Sequence, residues 1–227
     1  MELPQIYPKI TFFFNQVYTF AMSIRVVSFT GNKAQQYLPQ LAQLRMTVFS
    51  EFPYLYEGAM DYETQYLQTY TQTPDAVVVV AFDGEAVVGV STALPMLHES
   101  DNVKQPFIQA DYPITRLFYY GESVLLPNYR GRGIGKAFFA HREKHALHWG
   151  AEMVCFCAVI RPDDHPLKPA DYKPLHGLWQ KQGFSQQPHL TCQMTWKDID
   201  QPHETDKTLV FWIKKCCYKQ KTPLKLG

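Results

Sequence analysis

A chain of 227 residues that is 46% apolar is long enough to bury one sizeable core, and 15% aromatics leave side chains to line a cleft as well. A formal net charge of +1 supplies no global field for nucleic acid or for an anionic membrane, so neither is an expected partner. Five cysteines with no Cys-x-x-Cys pair give no disulfide framework and no metal site, and read as the reduced thiols of a cytoplasmic protein.

Residues 1–22 read as an N-terminal extension. Its apolar stretch is broken by Asn15, Gln16 and Thr19, is too short to span a bilayer, and has a poor signal-peptide flank in Glu2 and Lys9. Residues 24–29 alternate as a half-buried strand. Residues 34–49 carry Leu38, Leu41, Ala42, Leu44, Arg45 and Val48 at helical spacing, with Pro39 in the first turn. A loop follows at 52–58. Tyr62, Tyr66 and Tyr70 then recur within 60–71 along one side of a helix. The β-branched run 77–82 reads as a buried strand, Asp83-Gly84 as a hairpin turn, and 86–94 as the return strand.

Residues 95–115 form an irregular insertion holding Pro95, Pro106 and Pro113, with a short helix near 103–110. A strand at 117–126 leads to a glycine-rich turn and a helix over 134–149, which Gly150 ends. Residues 153–160 form a strand with Cys155 and Cys157 on one face. A proline-rich loop covers 161–174, a helix 175–182 ends at Gly183, and strands fall near 191–196 and 208–214. Residues 216–227 are a short basic tail. One domain, 23–215, is the economical organisation.

The run Arg130-Gly131-Arg132-Gly133-Ile134-Gly135-Lys136 carries the most chemistry. A glycine-rich strand-to-helix turn aims several N–H groups at one point, where the helix N-terminus adds roughly half a positive charge. The ligand is therefore a phosphate. A Walker A loop fails, because Arg130 stands where its first Gly belongs and Ala137 replaces its hydroxyl. A dinucleotide fingerprint fails at Lys136 and lies too far along the chain. His141 and His145 resemble a zincin helix, but Glu143 sits two residues after the first His rather than one.

The order Arg130-x-x-Gly133-x-Gly135, after Val124-Leu125-Leu126-Pro127-Asn128-Tyr129, resembles the pyrophosphate-binding turn of the GNAT superfamily of acetyl-CoA-dependent N-acetyltransferases. The order of elements is also that family's. The resemblance implies an α/β GNAT fold: a mixed, mostly antiparallel central sheet of six to seven strands, splayed in the middle and flanked by about four helices. It implies acetyl-CoA as co-substrate, with no metal. The amides of Arg130, Gly131, Arg132, Gly133, Ile134, Gly135 and Lys136 would hold the pyrophosphate. Main-chain groups of Ser123, Val124 and Leu125 would hold the pantetheine arm and the thioester oxygen. Transfer would be direct, to a primary amine of a small molecule or a peptide.

An amine with a pKa of about 10.4 needs a base at neutral pH. Glu122 is the expected base, although family bases often lie nearer Tyr119 and Tyr120. The family's usual proton donor, a Tyr four residues before the Gly-Phe that closes the last helix, is replaced by Trp179, and indole cannot act as an acid. Tyr172 and His165 are the alternatives. Loss of that Tyr also leaves open a non-catalytic acyl-CoA-binding or sensing module. Arg161-Pro162-Asp163-Asp164-His165 suggests acceptor recognition, and the late strands are compatible with a homodimer.

Overall fold

The computed structural model describes residues 24–216; the extension, and the tail with Cys217, lie outside the described residues. The strands are β1 Arg25–Phe29, β2 Val77–Asp83, β3 Ala86–Pro95, β4 Leu117–Leu125, β5 Met153–Val159, β6 Ser185–Lys197 and β7 Glu204–Lys215. They form one open sheet in the order β1-β2-β3-β4-β5-β7-β6. Only the β4–β5 pairing is parallel; the other five are antiparallel. The helices are α1 Asn32–Gln35, α2 Leu38–Phe49, α3 Met60–Leu67, α4 Thr69–Gln72, α5 Asp101–Gln109, α6 Ile134–Trp149 and α7 His176–Lys181.

The two sides of the sheet have separate cores. On one side Leu41, Leu44, Tyr70 and Phe107, from α2, α4 and α5, pack on Val78, Val80, Leu94 and Tyr119. On the other, Ile134, Phe138 and Phe139 of α6 pack on Val77, Val79, Ala93, Phe118 and Tyr120. The expected run at 77–82 is therefore buried on both faces, with Val77 through Ala81 at 0% exposure. Each fully buried valine contributes on the order of 1.5–3 kcal/mol, which makes β2 a main anchor between the two cores.

Four elements differ from expectation, three of them for identifiable reasons. The helix anticipated over 34–49 starts at Leu38, after the separate turn α1. Pro39 has no N–H to give the carbonyl four residues back, so the two segments cannot join. The helix anticipated over 60–71 is divided at Gln68, yet Tyr62, Tyr66 and Tyr70 keep one side, with ring centroids 6.3 and 6.4 Å apart. β6 begins at Ser185 rather than near 191, because the sheet absorbs Pro188 in a register shift between Gln187 and Thr191. An edge strand with a bulge tolerates a residue that cannot donate. β7 begins at Glu204, where polar residues pair with β6 outside the core (Lys197 with Glu204, Thr195 with Asp206) and carry no apolar signal.

Among the described residues no helix is long and apolar enough to cross a membrane. His141 and His145 are tied locally, to the Ser28 hydroxyl at 2.8 Å and to the Asp75 carbonyl at 2.8 Å.

Candidate active site

The sheet opens at its middle. β4 and β5 pair only through Leu117–Met153, Phe118–Val154 and Tyr119–Cys155. Beyond them β4 continues to Leu125 and β5 to Val159 without pairing, so the facing edges carry free main-chain donors and acceptors. At the throat of this gap the Tyr119 hydroxyl lies 3.1 Å from Cys157 Sγ.

A bulge in β4 lies beside the gap. Ser123 pairs with Ser91 and Tyr120 with Ala93, so Gly121 and Glu122 together face Thr92. The Glu122 N–H donates to Thr92 Oγ1 at 2.9 Å. From the α6 side the buried Arg142 donates to the carbonyls of Thr92 and Glu122 at 3.5 and 3.4 Å, and its guanidinium lies 4.3 Å from the Tyr120 ring centre. Desolvation lowers Arg142 to about 10, opposed by Tyr120 and Glu122, so it is still a cation at neutral pH.

β4 runs through a 3₁₀ turn, Pro127–Tyr129, into the glycine-rich segment. Gly131 and Gly133 have φ of 78° and 84°, the left-handed region that suits glycine, and nothing lies within 4 Å of where a side chain would start. Gly133 caps α6, so the first N–H groups of that helix lack partners four residues back. Residues 130–133 and Lys136 are exposed, Gly135 is half-buried and Ile134 is buried in the core. The basic side chains separate in role. Arg130 donates to Glu51 at 2.8 Å and to the Leu125 carbonyl at 3.3 Å, which ties the turn to the loop after α2. Arg132 covers the Tyr129 ring at 5.0 Å, and Tyr129 donates to Asp83 at 2.9 Å. Ser123 is exposed, Val124 buried and Leu125 half-buried.

On the opposite face, under α2 and α3, Glu122 sits in a buried ion network. Its Oε1 accepts from Arg45 at 2.6 Å and from the Tyr66 hydroxyl at 2.9 Å, and its Oε2 accepts from Thr92. Arg45 also donates to Glu63. Glu63 and Glu122 are 0% and 3% exposed. Burial alone would lower the Arg45 guanidinium, but Glu122, Tyr66 and Glu63 together raise it, so it stays charged. Both oxygens of Glu122 are thus engaged, which suits a carboxylate that organises a wall. Sequence reading missed Arg45, Glu63, Thr92 and Arg142. For Arg45 there was a signal: a cation on the apolar stripe of α2.

The segment after β5 folds back over the loop at 50–56. Arg161 donates to the carbonyls of Pro53 and Tyr54 at 2.7 and 2.6 Å, and forks onto Asp198 at 2.7 and 2.9 Å. Burial opposes the Asp198 charge, but Arg161 and Lys207 outweigh it and hold the carboxyl below its usual range. The two expected proton donors meet at one ring: His165 and Tyr172 lie 5.7 and 4.7 Å from Phe52, centre to centre. Burial pushes the Tyr172 phenol upward, with Lys168 opposing. Trp179 stacks edge-on to Phe156 and Trp212, both at 5.0 Å, as a packing residue.

A half-open parallel strand pair beside an open glycine turn, on a mostly antiparallel sheet, defines an acyltransferase of the GNAT class. The acetyltransferase (GNAT) family model matches residues 39–184, well over half of the chain, and the protein belongs to that family. No curated protein matches the sequence significantly. Solved structures share the fold. The ribosomal-protein-alanine N-acetyltransferase of Brucella melitensis is 16% identical, with a TM-score of 0.55 over 83% of this chain and 99% of that one. A GCN5-related N-acetyltransferase of Kribbella flavida is 15% identical, with a TM-score of 0.52 over 85% and 97%. YncA of Salmonella typhimurium, solved with its cofactor acetyl-CoA, is 10% identical, with a TM-score of 0.53 over 86% and 96%.

Proposed function

We propose that this protein transfers an acetyl group from acetyl-CoA to a primary amine by direct attack. The observation that carries the proposal is the β4–β5 gap lying directly upstream of a turn with two left-handed, unobstructed glycines. The main chain from Gly131 to Lys136, exposed at Gly131–Gly133 and at the unpaired start of α6, suits a diphosphate, with Arg132 and Lys136 supplying positive charge. The free edge at Ser123, Val124 and Leu125 suits the pantetheine amides and the charge that develops on the thioester oxygen. Arg130, bound to Glu51, serves as a strap between the cofactor turn and the acceptor loop.

The acceptor approaches from the α2–α3 face, which Tyr54, Tyr66, Tyr119 and the Arg45–Glu122 network line. Glu122 shapes that wall, since three side-chain donors already hold its two oxygens. Tyr172 and His165, gathered on Phe52, are the candidates for protonating the departing thiolate. A covalent thiol intermediate is disfavoured. Burial raises the Cys155 thiol, while a hydrogen bond with Cys192 and then burial raise Cys157, so neither is a thiolate at neutral pH.

A specific observation favours one second reading. Trp179 fills the position of the family's usual acid and is packed against Phe156 and Trp212, as suits an acyl-CoA sensor with no chemistry. A thiol-release assay across a panel of primary amines separates the two. The enzyme gives amine-dependent thiol release, and Tyr172→Phe lowers its kcat at least tenfold if Tyr172 is the proton donor. The sensor binds CoA and releases no thiol with any amine.

A further inference from the structure

We infer that the carboxylate of Glu99 takes the proton from the ammonium group of the acceptor, which makes it the general base of the transfer proposed above and lets it share that reading's fate. Glu99 follows β3 and the 3₁₀ turn Met96–His98, inside the segment that looks irregular in sequence. It is half-buried, four residues past Pro95, which pairs with Phe118 at the closed end of the gap. Oε2 accepts one hydrogen bond, from the Ser100 N–H at 3.2 Å. Oε1 accepts none from the described residues, and no described cation lies within ion-pair distance of Glu99. Glu122, by contrast, has three side-chain donors on its two oxygens.

The charged and titratable groups that act on Glu99 lie along β4 and β5 at the gap and on the helices α3, α4 and α5 that pack on that side. Glu99 feels Glu122 and Tyr119 of β4, Cys155 and Cys157 of β5, Tyr66 of α3 and Tyr70 of α4. Lys104 of α5 is the one cation coupled to it, and Lys104 already pairs with Asp101 at 3.1 Å. Tyr66, Tyr70, Tyr119, Cys155 and Cys157 are all raised, chiefly by burial except for Cys157, and so are neutral at pH 7. Two carboxylates of this face keep an oxygen without a hydrogen-bond partner: Glu63 Oε1, which is fully buried and whose other oxygen holds Arg45, and Oε1 of Glu99, which is only half-buried and has no ion-pair partner among the described residues. Burial lifts Glu99 to about 7; the Ser100 N–H and Lys104 oppose this, and Glu122 adds to it. A base balanced near the working pH is half in its accepting form there.

The proton balance is simple. The ammonium loses one proton to Glu99, and the freed nitrogen lone pair attacks the thioester carbonyl carbon. The C–N bond forms and the C–S bond breaks. The nitrogen's surplus proton leaves with the thiolate as CoA thiol, and Glu99 returns its proton to water.

The test is kcat/KM for the amine against pH in the wild type, Glu99→Gln and Glu99→Asp. Wild-type kcat/KM should rise with a limb near pH 7. Glu99→Gln should lose that limb and fall on the order of a hundredfold or more at pH 7. Its deficit should narrow toward pH 10, where the amine is increasingly neutral on its own, while KM for acetyl-CoA is unchanged. Glu99→Asp should restore part of the rate and the limb. A wild type inert toward every amine overturns the acyl-transfer reading and the assignment together. An active wild type whose profile superimposes on that of folded Glu99→Gln overturns the assignment alone.

Discussion

Replacing Arg45 with Met should cost about 3–5 kcal/mol of stability, among the largest effects of any single substitution in this protein. The guanidinium is the one cation shared by Glu63 and Glu122, bonded to Glu63 and 2.6 Å from Glu122, and both acids are buried. Removing it strands two negative charges in a low-dielectric interior, the situation in which breaking a buried pair costs several kcal/mol. It also removes a planar cation lying 4.7 Å from the Tyr66 ring and 5.1 Å from the Phe49 ring. Chemical denaturation measures the loss. The triple variant Glu63→Gln, Arg45→Met, Glu122→Gln should recover most of it, because no uncompensated charge is left. A single variant within 1 kcal/mol of wild type would show that the network does not hold this wall.

Gly121→Ala should be nearly as damaging, through shape rather than charge. A Cβ at this position would lie 2.1 Å from the Tyr70 hydroxyl oxygen and 2.7 Å from Thr92 Oγ1. Neither can step aside, since Tyr70 and Thr92 are both fully buried. Thr92 receives the Glu122 N–H and donates to the Glu122 carboxylate, so displacing it opens the bulge and the network at once. Overpacking of this kind costs about 1–3 kcal/mol or more. In a domain of this size that lowers the melting temperature by roughly 2–12 °C. Adding Tyr70→Phe removes the nearest clashing atom and should restore part of the loss. A Gly121→Ala protein that melts like the wild type would contradict the close approach.

The parts of the molecule legible in the sequence are those built from local pattern. The strand, turn and helix from 117 to 149, the doubly buried β2 and its hairpin all announce themselves by periodicity, glycine and proline. Even the tyrosine row survives a break in its helix. The parts that stayed hidden depend on partners far along the chain. Glu122 is visible as a carboxylate on the right strand, but Arg45 lies 77 residues away and Thr92 lies 30 away, so its neutralising surroundings are not. The difference matters for mechanism: its place on β4 nominates Glu122 as a base, whereas only the folded chain shows three side-chain donors already on its two oxygens. Glu99 escaped notice because a 3₁₀ turn between prolines has no period to read. The start of β6 escaped because Pro188 argues against a strand until an edge bulge accommodates it.

The gap and the turn also explain each other. The bulge that re-aims β4 is braced from both faces, by Arg142 above and by Arg45 through Glu122 below. The strap from Arg130 to Glu51 then joins the end of β4 to the loop carrying Phe52, where His165 and Tyr172 converge. The glycine-rich turn, the free edge of β4 and the loop at 50–56 are therefore joined through side-chain contacts.

The most direct measurement is a crystal structure grown with saturating acetyl-CoA. The diphosphate should be found against the main-chain amides between Gly131 and Lys136, and the thioester between Ser123 and Cys157 with its carbonyl on the free edge of β4. Density for the molecule at another place, or none at saturation, would contradict the assignment of this gap as an acyl-transfer site.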